Sequence, residues 1–119
     1  MIHLYYSWYS ICSEKVLTCL FEKSLPFTGH HIDLMEFAQV EPYYRQINPD
    51  GTVPTLIDDG KTVRESTIIN EYLDEVYPQC RLTPTDPHAR AVMRYWVQRF
   101  QDVVFPAAGM LSQKHFIVP

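Results

Sequence analysis

Apolar and polar positions change their spacing several times along the chain, and each change marks an element. Residues 2–7 (IHLYYS) are short, β-branched and aromatic, which predicts a first strand. In residues 13–24, Val16, Leu17, Leu20 and Phe21 fall at i, i+1, i+4 and i+5 before Pro26, which predicts a helix closed by the proline. Residues 27–34 read as a second strand. Residues 37–47 read as a short helix ended by the turn sequence Asn48-Pro49-Asp50-Gly51. Residues 53–57 and 61–64 flank Asp58-Asp59-Gly60 and predict a β-hairpin, with glycine where a positive φ is needed. Ser66 then reads as an N-cap, with Ile68, Ile69, Tyr72, Leu73 and Val76 on one face of a third helix.

The order β-α-β-α-β-β-α predicts an α/β fold: one mixed sheet with helices on both faces, the first strand and helix forming a crossover unit. Pro78, Pro84 and Pro87 punctuate PQCRLTPTDP, which reads as a linker. Beyond it Val92, Met93, Trp96, Val97, Phe100, Val103 and Val104 make an amphipathic helix that Pro106 is expected to interrupt. The expected organisation is a first domain over residues 1–78, a linker over 79–87 and the start of an all-helical domain over 88–119. The stripe around Trp96 is expected to pack at a junction between domains or subunits. A chain ending after one helix of that second domain is expected to be a fragment of a longer protein.

Composition narrows the function. Ten lysines and arginines are scattered among 14 acidic residues, for a net charge of −4, so the basic stripe of a nucleic-acid binder is missing. No stretch approaches the roughly 20 apolar residues that span a bilayer, and the start MIHLYYSW lacks a secretory pattern, so a cytoplasmic protein with no membrane partner is expected. Three cysteines without CxxC spacing argue against a disulfide framework and against zinc. His30 and His31 alternate across a strand and should not share a metal; no metal is expected.

The stretch WYSICSEK places Ser10, Cys12 and Ser13 at a strand-to-helix junction. A free thiol has a pKa of about 8.5, and the thiolate is the nucleophile. Helix N–H groups contribute up to about 2 kcal/mol to a nearby anion, and a hydroxyl hydrogen bond to a charged group about 1.5–3 kcal/mol. Lowering a thiol by two pKa units needs about 2.7 kcal/mol, so the two effects suffice without a general base. The plainer alternative is a helix cap beside a buried cysteine. Cys19, further along the helix, reads as core. Tyr5, Tyr6, Trp8 and Tyr9 read as packing, with Trp8 and Tyr9 also able to wall a pocket for an aromatic molecule.

The order of elements, the V-P-T-L stretch, the E-S pair opening the third helix and the proline-rich linker together resemble the cytosolic glutathione S-transferases, over nearly the whole chain. The motif S-I-C-S is similar to that of the zeta- and theta-related bacterial branch, including tetrachlorohydroquinone-type reductive dehalogenases. Residues 21–78 also resemble bacterial β-etherases that cleave lignin-derived aryl ethers, and the ganglioside-induced differentiation-associated proteins. This resemblance implies a thioredoxin-like domain that takes glutathione as co-substrate, with no metal, and a small electrophile as second substrate, commonly in a homodimer. It implies Ser10 as hydroxyl donor to the glutathione sulfur, Cys12 as rival through a mixed disulfide with glutathione, and Ser13 as the match to the β-etherase serine. It also implies a cis Val53-Pro54 that exposes the Val53 backbone to the cysteinyl unit. Glu65 and Ser66 would hold the γ-glutamyl end, the helix N-terminus taking its carboxylate. Gln39 and Thr52 occupy the positions where theta-like relatives grip the glycine carboxylate with a histidine and a lysine. Both are uncharged, which makes Arg45 or Lys61 the possible substitutes. The leading expectation is a glutathione transferase. The alternatives are a non-catalytic interaction or scaffold protein of the same fold, and a thiol-disulfide oxidoreductase using Cys12.

Overall fold

In a computed structural model of the protein, residues 1–112 are described. They form β1 (Ile2–Tyr6), α1 (Ile11–Glu22), β2 (Phe27–His31), α2 (Pro42–Ile47), β3 (Thr55–Asp58), β4 (Lys61–Arg64), α3 (Ser66–Val76), α4 (Pro87–Arg99) and α5 (Phe105–Ser112). The first seven elements are the predicted β-α-β-α-β-β-α order of a thioredoxin-like domain. The sheet order is β2-β1-β3-β4, with β1 parallel to β2 and the other neighbours antiparallel. Parallel neighbours need a crossover, and α1 supplies it. The chain divides into two compact units, the first Met1–Leu82 and the second beginning at Thr83.

Alternation along β1 sorts the core into two layers. Ile2 and Leu4 pack with Leu56 against Val16, Leu17 and Leu20 of α1 and Ile69 and Leu73 of α3. Tyr5 points the other way, onto Ile32 and Tyr44 of α2. Tyr44 is fully buried, and its hydroxyl donates to the Thr52 carbonyl (2.6 Å) and bonds Thr55 Oγ1 (2.8 Å). Asn48 Nδ2 donates to the same two oxygens, at 2.9 and 3.0 Å. Buried polar groups are retained where they are fully paired; here they hold the loop that enters β3. Cys19 is core, as expected, and burial pushes its thiol up to about 11.

Several boundaries differ from expectation for identifiable reasons. Helix α1 starts at Ile11, ahead of the expected residue 13, because Ser10 is its cap, accepting the Ser13 N–H at 3.1 Å. Strand β2 stops at His31, and Asp33 takes the chain into a turn by accepting the Met35 N–H at 2.9 Å. The predicted helix over 37–47 breaks into a single 3₁₀ turn, Ala38–Val40, and α2. Glu41 between them is extended (φ −62°, ψ 144°), as a residue before proline prefers. Strand β3 begins at Thr55, just after a cis Val53–Pro54 peptide. In the hairpin Asp58 pairs with Lys61, and Asp59 and Gly60 both take positive φ (47° and 78°), the two-residue turn that matches strand twist. Ser66 is the first residue of α3; the cap position is Glu65.

Pro106 does not end the second unit's helix. The chain passes from α4 through a π-helical turn, Phe100–Val104, in which the Phe105 N–H bonds the Phe100 carbonyl, five residues back. A proline lacks the N–H for an ordinary turn and crowds the carbonyl four residues earlier; the wider turn removes that conflict, and α5 continues. Trp96, Val103 and Val104 of this unit are exposed.

A buried ion pair and a buried carboxylate with two phenol donors fasten the first unit. Lys23, at the end of α1, donates to Asp74 of α3 at 2.8 Å with both side chains inside, and to the Cys80 carbonyl at 2.6 Å. Asp74 also accepts the Leu82 N–H at 2.8 Å. Asp58 accepts the hydroxyls of Tyr72 (3.0 Å) and Tyr77 (2.9 Å). Burial, then the Asp58 hydrogen bond and charge, push the Tyr77 phenol from 10.0 up to about 12. Its folded value lies above its unfolded one, so its contribution to stability is complete below pH 10 and lost as pH rises towards about 12. Urea midpoints followed across that window should fall with pH in the native chain and fall less in Tyr77→Phe. Parallel slopes would contradict the assignment.

Candidate functional site

Register brings the separate sequence signals to one end of the sheet. Tyr5 pairs with Thr55, and Thr55 pairs with Arg64. The residues leaving β1, those entering β3 and those leaving β4 therefore lie side by side, and these are the segments that carry residues 10–13, 53–54 and 65–66.

The loop from β1 into α1 is built on three serines. The Ser7 N–H donates to Ser13 Oγ (3.2 Å), the Ser10 N–H donates to the Ser7 carbonyl (3.1 Å), and the Ser13 N–H donates to Ser10 Oγ. Ser7 and Ser13 have no exposed surface, whereas Ser10 and Cys12 are each partly exposed. A hydroxyl that accepts one bond keeps its proton to give to another partner. Ser10 is thus both cap and available donor, and Ser13 is engaged inside the protein, holding the loop rather than facing out. Cys12 stands in the first turn of α1, within the field of the helix N-terminus.

At the start of α3, Glu65 is exposed and takes φ +70°, ψ 119°, and its side chain makes no cap hydrogen bond. The first N–H groups of a helix have no partner within it, so this end is suited to an anion supplied from outside. Ser66 is buried, and its Oγ accepts from Lys15 Nζ at 3.1 Å; Thr67 Oγ1 accepts from the same ammonium at 3.1 Å. Lys15 is the residue that sequence reasoning missed. Burial lowers its ammonium's pKa, while the neighbouring Cys12 and Glu65 act to raise it.

Gln39 and Thr52 come together through Gly51. That glycine has φ +64°, and a Cβ there would lie 3.0 Å from the Gln39 carbonyl oxygen and 3.8 Å from Arg45 Nε. Arg45 is therefore the cation beside this pair, while Lys61 opens β4 beyond the hairpin turn. Gln39 Oε1 is buried without a hydrogen-bond partner among the described residues. Val53 is half-buried and Pro54 buried.

Trp8 and Tyr9, directly before Ser10, are 62% and 68% exposed; Trp8 meets Tyr6 edge-on with ring centres 4.9 Å apart. His30 stacks on Tyr5, and His31 lies against Tyr6 and Trp8, so the two histidines face opposite ways. Among the described residues no group of three or more His, Cys, Asp or Glu side chains is placed to share a metal. No helix among them is long and apolar enough to cross a membrane.

Comparison with known proteins bears on the family of the chain. Residues 9–76 match the family described as glutathione S-transferase, N-terminal domain. Protein LigF of Sphingobium sp. strain SYK-6 is 46% identical over 88 residues, which cover 72% of this chain and 34% of that protein. Glutathione S-transferase Z1 of Arabidopsis thaliana is 38% identical over 91 residues, 76% of this chain and 41% of that one. The chain spans between a third and a half of the length of these curated relatives. The crystal structure of the β-etherase LigF superposes with a TM-score of 0.92 at 36% identity, over 98% of this chain and 49% of the other. A glutathione transferase homologue from sulfitobacter, solved with bound glutathione, superposes with a TM-score of 0.85 at 29% identity, over 98% of this chain and 54% of the other.

Proposed function

Because the chain belongs to the glutathione S-transferase family through its N-terminal domain, we propose that its first unit binds glutathione and ionises the thiol at the amino end of α1, for transfer to a small electrophile. The observation that carries this is the partly exposed Ser10, whose oxygen is fixed by the Ser13 N–H and whose proton is free to be donated to sulfur. The γ-glutamyl carboxylate is assigned to the uncapped start of α3, its ammonium to Glu65, the cysteinyl backbone to Val53 beside Pro54, and the glycine end to Gln39 and Thr52 with Arg45 alongside.

In the transfer step the glutathione sulfur forms a bond to an electrophilic carbon. The leaving group, a phenoxide or halide, departs with the bonding pair. The exposed rings of Trp8 and Tyr9 beside Ser10 favour an aromatic substrate, and the similarity to a β-etherase points to an aryl ether as the class to try first. A cytoplasmic homodimer belongs to the same proposal, the exposed apolar residues of the second unit being the surface for assembly. Thiol-disulfide exchange at Cys12 is the second reading, favoured by that side chain's partial exposure in the first helical turn.

Ultraviolet absorbance of the thiolate tests the first reading. Adding the full chain to glutathione at neutral pH should produce the thiolate band, with a midpoint about one to two pH units below that of free glutathione. Binding without that band would remove the transferase reading.

A further inference from the structure

Lys15 ties together two helix ends that the sequence keeps 51 residues apart. It lies on α1 three residues after Cys12, which sets it on the same side of the helix. Its ammonium donates to Ser66 Oγ and Thr67 Oγ1, both at 3.1 Å, at the first two positions of α3. Its carbonyl accepts from Asn70 Nδ2 at 3.4 Å, one turn further along α3. The side chain is half-buried.

We propose that Lys15 is a positioning residue that couples the two ends of the glutathione site, serving the sulfur end at α1 and the carboxylate end at α3 with one fixed charge. The inference rests on the reading given under Proposed function. A hydroxyl oxygen that accepts from an ammonium must turn its own proton elsewhere, so Ser66 and Thr67 are set to act as donors. The same ammonium adds positive charge beneath a helix start that already favours anions. Cys12 and Glu65 both lie within its field. Binding of the γ-glutamyl carboxylate and ionisation of the thiol by Ser10 then draw on the same supporting side chain, and losing it should weaken both together.

The test compares Lys15→Met and Lys15→Arg in the full chain, using glutathione and S-methylglutathione, which has no thiol to ionise. Lys15→Met should bind both ligands about tenfold more weakly and move the bound thiol midpoint back towards that of free glutathione, while Lys15→Arg restores the midpoint. Native affinity for S-methylglutathione together with an unmoved midpoint in Lys15→Met would reduce Lys15 to a strut and overturn the proposal. Should Lys15→Met not fold, Thr67→Val removes one of the two acceptors and the thiol midpoint is the readout: a midpoint moved towards that of free glutathione supports the coupling, and an unmoved midpoint overturns it. A native chain that fails to bind glutathione sinks the underlying reading as well, whereas a native chain that binds and ionises it while Lys15→Met does so equally sinks only the coupling.

Discussion

Ser10→Ala should raise the midpoint of the bound glutathione thiol by about one to two pH units and slow transfer about 10- to 100-fold at neutral pH. A hydrogen bond to a charged group contributes about 1.5–3 kcal/mol, and each pKa unit corresponds to about 1.36 kcal/mol. The substitution also removes the α1 cap, at a cost of about 0.5–2 kcal/mol in stability, which by itself would confuse the result. Ser10→Asp separates the two effects. It keeps an acceptor for the Ser13 N–H but has no proton to give, so it should unfold like the native chain and still fail to ionise glutathione. The measurement is an absorbance titration of the bound thiol alongside transfer rates to an aryl ether. If Ser10→Ala leaves both unchanged and Cys12→Ser abolishes activity, the chemistry belongs to Cys12.

Asp74→Ala should cost about 3–5 kcal/mol in unfolding free energy, the range for leaving one member of a buried ion pair uncompensated. Lys23 would keep its charge inside with only the Cys80 carbonyl as acceptor, and the Leu82 N–H would lose its acceptor too. The double variant Lys23→Met/Asp74→Leu should recover much of the loss, because well-packed apolar replacements of buried pairs are often neutral or stabilising. Urea unfolding of the three proteins decides it. A loss below about 1 kcal/mol in Asp74→Ala would place the pair in the weak class of exposed bridges.

What the linear chain revealed was local in origin. The apolar spacing of α1 and α3, the Asp59-Gly60 turn and the strand character of residues 2–6 all arise from neighbours within a few positions, and these elements form. The stripes are narrower than read, since Phe21 of α1 and Ile68 and Val76 of α3 are exposed. Boundaries went astray where one residue outweighed a pattern. Pro42 started a helix in the middle of an expected one, and Asp33 ended β2 early. Pro106 was accommodated because the preceding turn widened, which no spacing rule signals. Within the site, Ser10, Cys12 and Ser13 look equivalent on paper. Only packing separates the partly exposed pair from Ser13, whose hydroxyl serves Ser7. Lys15 gave almost no sign, since its partners come from a helix far along the chain. A lysine directly before the buried run Val16-Leu17 was the faint hint available.

Glu65 occupies a backbone conformation in which a side chain is a liability. Residues held with φ near +70° outside glycine's company carry about 1–3 kcal/mol of local strain, and such positions gather where ligands are handled. A stability screen of this protein would therefore favour Glu65→Gly, and the gain would come by erasing the carboxylate assigned to the ligand's ammonium. Robustness and recognition are set against each other at that one residue, so any hardened version of the chain should be chosen with position 65 held fixed.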